Sequence, residues 1–148
     1  MRFEIVDWKF RKHPDKEIIL PTKATRHSAG YDFYSNETFS IKPGETKILW
    51  TDVKVKLTPE EFLMIVPRSS IGLKKNLMLS NTVGIIDSDY YGNLENDGNI
   101  GIAIYNYGNK TREIREGERI AQGIVLKFED NTLQAYGRRK GGFGSTGI

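Results

Sequence analysis

Apolar positions recur at short intervals along the chain, mostly with the two-residue period of strands. In "TKILWTDVKVKL" (46–57) Val53, Val55 and Leu57 fall on one side, and Lys54 and Lys56 on the other. "IGIAIYNY" (100–107) sets Ile100, Ile102 and Ile104 against smaller residues. "FEIV" (3–6) is short and β-prone, "EFLMIV" (61–66) is an apolar run halted by Pro67, and "RIAQGIVLKF" (119–128) reads as a mixed strand. Turn signals separate these segments at Lys42-Pro43-Gly44, Thr58-Pro59, Tyr91-Gly92-Asn93, Asp97-Gly98-Asn99, Tyr107-Gly108-Asn109 and Glu116-Gly117-Glu118. No stretch sustains a 3.6-residue apolar period, and only one or two helical turns are predicted, near Ser69–Asn76. Many short strands at regular spacing predict an all-β sandwich or barrel. There is no internal repeat and no composition break before the glycine-rich end, so 1–137 reads as one β domain and 138–148 as a C-terminal arm.

Charge adds a direction. The net charge of +3 is too small to argue for a nucleic-acid or membrane partner. Its distribution says more. Between Asn76 and Asn109 there is no Lys or Arg, but there are Asp87, Asp89, Glu95 and Asp97. From Asn131 onward there is no Asp or Glu, but there are Arg138, Arg139 and Lys140. An acidic middle and a basic end suit one ligand that is both phosphorylated and metal-bound. The chain has no cysteine, which excludes disulfides, thiolate metal sites and a Cys nucleophile and fits a reducing cytosol. No leader pattern opens the chain, and no apolar run reaches membrane-spanning length.

Five stretches carry candidate chemistry. "GFGSTG" (142–147) matches GxGxxG, but a dinucleotide fold needs a helix after it and only Ile148 follows. Free backbone N–H groups, Arg138 and the lone ring of Phe143 suit phosphates and a base, unless the stretch is simply a disordered, solvated tail. In "VPRSSIG" (66–72) Arg68, Ser69 and Ser70 stand where a strand gives way to a helical turn. They suit an anion, unless a serine simply caps the turn. In "NTVGIIDSDYYGN" (81–93) an apolar run delivers Asp87, Asp89 and Tyr90. In an extended chain Asp87 and Asp89 share a face. A carboxylate there can activate water or hold a metal, and the Asn81 amide can read a base edge, though Asp and Gly also favour a plain hairpin turn. "SAGYDFYS" (28–35) sets Asp32 among aromatics, and "EGERIAQG" (116–123) offers Arg119 and Gln122, which alone read as a surface Arg and an edge Gln. His13 and His27 lack any ligand pattern and read as surface residues.

In this order the stretches resemble the motifs of one family, the homotrimeric dUTPases: "AGYD" (29–32), "PRSS" (67–70), "NTVGIIDSDYYG" (81–92), "GERIAQ" (117–122) and "GGFGSTG" (141–147). The resemblance implies an all-β jelly-roll fold with a flexible C-terminal arm. It implies a trimer whose sites combine several subunits, and hydrolysis of dUTP to dUMP and pyrophosphate with Mg²⁺, lowering dUTP and supplying dUMP for thymidylate synthesis. Asp87 is the expected base for the water that attacks the α-phosphorus. Tyr90 is the ring under the deoxyribose. Asn81 with the Gly84, Ile85 and Ile86 backbone is the uracil-reading edge. Arg68, Ser69, Ser70 and Gln122 are phosphate contacts, and Asp32 touches magnesium-bound waters. Phe143, with Gly144 and Ser145, closes over the nucleotide, and Arg138 or Arg139 reaches the terminal phosphates. Two departures stand out. Arg139 occupies a position where the family writes glycine, and "LENDGN" (94–99) is longer than the usual hairpin and reads as a surface loop or partner-binding element. The rivals are a dCTP deaminase of the same fold, for which Glu95 is the sole nearby glutamate, a bifunctional deaminase and hydrolase, and a non-catalytic β-sandwich module. Tyr90 and the complete last motif favour dUTPase.

Overall fold

Alternation along the sequence becomes burial along each strand. The computed structural model describes residues 1–129 and Gly142. Twelve strands occur among them: β1 (Arg2–Ile5), β2 (Thr22–Lys23), β3 (Tyr31–Tyr34), β4 (Phe39–Ile41), β5 (Thr46–Trp50), β6 (Val53–Lys56), β7 (Glu61–Pro67), β8 (Leu77–Leu79), β9 (Gly84–Asp87), β10 (Gly101–Asn106), β11 (Arg112–Ile114) and β12 (Arg119–Lys127). One helix, α1 (Ser69–Lys75), sits where the helical turns are predicted. Short 3-10 turns occur at Trp8–Phe10 and Ser88–Tyr90. All pairings are antiparallel, in four sheets: β1-β6, β5-β10-β8, β11-β4, and the five-stranded β2-β3-β12-β7-β9. The architecture is jelly-roll-like, with no closed barrel among the described strands.

The core lies between the sheets. Ile102 and Ile104 of β10, Val53 and Val55 of β6, Leu63 and Ile65 of β7, and Leu77 and Leu79 of β8 all point into it. Ile71 anchors the inner side of α1 there. Asn106 is fully buried at the end of β10. Its amide donates to the carbonyls of Ile41 (2.9 Å) and Lys110 (2.8 Å) and its oxygen accepts from Gly108 N–H (2.9 Å), so the polar group carries no unmet demand.

The strand predicted over 46–57 is broken, and the reason is one carboxylate. Asp52 takes a left-handed backbone (φ 56°) in the two-residue break between the end of β5 at Trp50 and the start of β6 at Val53. Its wholly buried side chain accepts from Lys12 N–H (2.8 Å), His13 N–H (2.7 Å) and the Asn99 amide (2.8 Å). This stitches the N-terminal segment and the loop before β10 to the core. His13 is therefore no surface residue: Nδ1 lies 3.2 Å from Asp52, and the side chain is mostly buried. His27 is exposed, as expected. No helix of the described residues is long and apolar enough to cross a membrane.

A second stitch ties β1 to the segment that follows β9. The Tyr91 hydroxyl donates to Glu4 at 2.6 Å, and the Arg2 guanidinium also contacts Glu4. The Tyr91 bond first, then Arg2, holds the Glu4 carboxyl below its ordinary value of 4.5. A carboxyl depressed in the folded state adds stability that is complete above its ordinary value and is lost as pH falls through the depressed one. Tyr91→Phe keeps the ring and removes the leading cause. The variant should therefore lose less Tm than the parent between about pH 6 and about pH 3; equal losses would show that the bond adds no pH-dependent stability.

Candidate active site

The expected site residues fall into two clusters. The first surrounds a cavity of about 340 Å³ between β9 and β10. Its walls include Ile65, Leu79, Gly101, Ile102 and Ala103, and its polar rim includes Asn81 and Asp87. β9 is the outermost strand of its sheet. Among the described strands it pairs only with β7, in the register Gly84–Ile65 through Asp87–Phe62. An edge strand presents a row of backbone N–H and C=O groups, so the Gly84, Ile85 and Ile86 backbone offers donors and acceptors to whatever fills the cavity. Gly84 lets the strands close up: a Cβ there would lie 3.1 Å from Cβ of Ile65.

Asp87 ends β9 at the cavity mouth, and its exposed side chain does not cap the turn that follows. Because Ser88–Tyr90 is a 3-10 turn, the two-residue spacing of Asp87 and Asp89 no longer places them on one extended face. Tyr90 forms the floor and is only 5% exposed. Its hydroxyl donates to the Asn99 carbonyl at 2.8 Å and accepts from the Asn96 amide at 2.7 Å. Gly142 lies against the ring, where an added Cβ would stand 2.6 Å from Cε2. Arg138, Arg139, Phe143, Gly144 and Ser145 lie outside the described residues.

The second cluster centres on Asp32, buried in β3. Arg68 Nη1 donates to its Oδ2 at 2.9 Å and Arg119 Nη1 at 3.2 Å. Two guanidiniums against one carboxylate leave a net positive charge beside α1. Gln122 pairs in register with Asp32 on one side and Val66 on the other. It is thus on a central strand, not the edge its sequence context suggests. Gly30 lies against it: a Cβ there would meet Gln122 Oε1 at 2.6 Å, which explains why a glycine precedes Tyr31-Asp32. Ser69 and Ser70 are exposed in the first turn of α1. The N-cap is Arg68, with no side-chain capping bond, so neither serine serves as the cap.

Within one chain these clusters do not form one site. Asp87 pairs with Phe62, whereas Asp32 and Gln122 sit level with Val66, four residues along β7 and on the far side of it. With a rise of about 3.3 Å per residue and about 4.8 Å between strands, Asp32 and Asp87 are about 20 Å apart. Arg68 turns its guanidinium toward Asp32, not toward β9.

Three features escaped the sequence. Arg119 completes the Asp32 cluster instead of standing alone on the surface. The β10 wall comes from a segment remote in sequence. Asn93, Asn96 and Asn99 brace Tyr90 from within the loop read as a surface insertion. Only the asparagine-rich composition of 93–99 hinted at an internally bonded loop. Among the described residues no group of three or more His, Asp or Glu is placed to hold a metal directly.

The family model described as dUTPase matches residues 16–147. A deoxyuridine 5'-triphosphate nucleotidohydrolase of Lactococcus lactis subsp. lactis (strain IL1403) is 40% identical over 148 residues, 98% of this chain and 96% of that protein. The crystal structure of dUTPase from Streptococcus mutans matches with a TM-score of 0.77 at 35% identity, over 88% of this chain and 98% of that one. A mutant dUTPase from phage phi11 of S. aureus, solved for its coordination of a structural Mg(II) ion, shares the fold at 21% identity and a TM-score of 0.72, over 91% of this chain and 95% of that one. With a family match across most of its length and this identity over nearly the whole of a named relative, the chain belongs to the dUTPases, the enzymes that hydrolyse dUTP.

Proposed function

We propose that dUTP is cleaved to dUMP and pyrophosphate at sites that copies of this chain build together as a homotrimer, with Asp87 as general base. The observation that carries the reading is Asp87 at the mouth of a cavity edged by an outermost strand and floored by Tyr90. Uracil fits the backbone edge of β9 and the Asn81 amide. Cytosine presents the opposite hydrogen-bond pattern and would leave buried groups unpaired, which gives strong rejection. The Tyr90 ring packs under the sugar and leaves no room for a 2′-hydroxyl. Asp87 takes a proton from the attacking water, which adds in line at the α-phosphorus as the bond to the bridging oxygen breaks and pyrophosphate leaves.

The phosphates belong to the second cluster, contributed by another copy. Arg68, Gln122 and the Ser69 and Ser70 hydroxyls bind them, and the about 20 Å between clusters within one chain supports this sharing. The donor set fits Mg²⁺ carried on the triphosphate, not bound directly by protein. Asp32 is the carboxylate beside the phosphate contacts, and Mg²⁺ keeps several waters through which such a group can hold it. When bound, the ion would neutralise phosphate charge. By resemblance, Arg138 or Arg139 adds to the phosphate contacts and Phe143 covers the base, with Gly144 and Ser145 in the same arm. The placement of Gly142 against Tyr90 supports an arm that reaches the cavity.

Glu95, which a deaminase would need, is exposed and does not line the cavity. Purified protein should release pyrophosphate from dUTP with Mg²⁺, and at least about a hundredfold less from dCTP, dTTP or UTP. Comparable turnover of dCTP, or release of ammonia, would overturn the reading.

A further inference from the structure

The loop 93–99 does more than connect β9 to β10. Its asparagines are bonded inward. Asn93 Oδ1 accepts from the backbone N–H of Glu95 (3.0 Å) and Asn96 (3.2 Å), and its Nδ2 donates to the Tyr90 carbonyl at 2.9 Å. Asn96 Oδ1 accepts from Asn93 Nδ2 (2.7 Å) and Gly98 N–H (3.0 Å). With its oxygen taken by two donors, the Asn96 amide can orient only one way, and its nitrogen must face the Tyr90 hydroxyl. The contact there is 2.7 Å. The phenol proton is then committed to the Asn99 carbonyl at 2.8 Å. Donor and acceptor of the hydroxyl are both used, which fixes the ring along and across its long axis.

The loop itself is anchored. Asp97 accepts from Lys54 Nζ and from Asp7 N–H, each at 2.7 Å, and its backbone N–H donates to the Asn93 carbonyl. Gly98 has φ 84°, and a Cβ there would stand 2.8 Å from the Tyr90 carbonyl oxygen, so the loop can press against the Tyr90 backbone only with glycine at this point.

We infer that Asn96 is a positioning residue for sugar discrimination: it sets the height of the Tyr90 ring, and so decides whether a nucleotide carrying a 2′-hydroxyl can enter. The inference rests on the reading of Tyr90 as the deoxyribose platform. A ring that settles outward by a fraction of an ångström admits the extra oxygen, whereas interior packing normally leaves no such slack.

Asn96→Asp tests it. The variant keeps the Oδ1 acceptor for Asn93 and Gly98 but turns an acceptor toward the phenol oxygen. It should lower the ratio of kcat/KM for dUTP to that for UTP by about tenfold, with dUTP kcat changed less than its KM. Tyr90→Phe removes the hydroxyl from the other side and should lower the ratio similarly. The double variant should lose no more than Tyr90→Phe alone, because the bond that Asn96→Asp deletes is already gone once the hydroxyl is removed. An unchanged ratio in Asn96→Asp, or effects of the two substitutions that simply add, overturns the inference. Should Asn96→Asp fail to fold, Tyr90→Phe decides, since an unchanged ratio there means that the hydroxyl held by Asn96 has no bearing on the sugar. Tyr90→Leu separates the underlying reading: if the ratio survives loss of the ring, Tyr90 is not the platform and both statements fall. If it collapses while Asn96→Asp and Tyr90→Phe behave as the parent, the platform stands and only the role of Asn96 is lost.

Discussion

Asp87→Asn is expected to bind dUTP with nearly the parental Kd and to lose about 10²–10⁴-fold in kcat, the range that removal of a general base costs. The substitution is isosteric. Asp87 ends an edge strand with its side chain exposed, so an amide of the same shape should be accommodated without unfolding. The amide can still accept a hydrogen bond from the attacking water but cannot take its proton at neutral pH. On the proposed reading, binding relies on other groups: the β9 backbone, Tyr90 and the phosphate contacts. The loss should therefore appear in kcat and not in affinity. Calorimetric titration with a non-hydrolysable dUTP analogue, beside pyrophosphate release from dUTP, reads both quantities. A kcat within tenfold of the parent would remove Asp87 from the base role. A parallel loss of affinity would make it a binding residue instead.

The contrast between what the sequence discloses and what it hides follows from range. Asn81, Gly84 to Asp87 and Tyr90 lie within ten residues of one another, and the structure gathers them around one cavity. Local signals suffice there, because a strand that ends in a tight turn keeps its neighbours together. α1 was legible for the same reason, from Pro67 ahead of it to Asn76 behind, which takes the left-handed cap. The strand over 46–57 was not, because its break at Asp52 is stabilised by donors from Lys12, His13 and Asn99, some forty residues away on either side. His13 was misplaced by the same long-range bond. Gln122 looked like an edge residue because strand order is invisible in a single sequence, yet β12 sits between β3 and β7. Arg119 and Asn96 have their meaning only through partners, Asp32 and Tyr90, and neither pairing follows a periodic rule. Periodicity reports which face of a strand is buried, but it is silent about which strand lies opposite.

That silence matters most for the relation between the two clusters, and it leads to the other large effect. On the proposed reading Arg68→Ala removes a phosphate contact, and it should by itself cost most of the activity. Asp32 keeps Arg119 as a partner, so no buried carboxylate is left uncompensated and the fold should survive. Asp87→Asn and Arg68→Ala chains, each nearly inactive alone, should then complement one another once their subunits are exchanged. If each site takes Asp87 from one copy and Arg68 from another, random mixing of equal amounts leaves about a quarter of the sites with both groups intact, one half multiplied by one half. Recovery to about a quarter of parental kcat per chain is the expected outcome after joint unfolding and refolding, with little recovery when the folded variants are merely combined. Were Asp87 and Arg68 to serve the same substrate within one chain, no mixture would contain an intact site, and activity would stay at the sum of the two variants. Register alone argues against that: four residues of β7 and three strand spacings stand between Asp32 and Asp87, and the Arg68 side chain points away from β9.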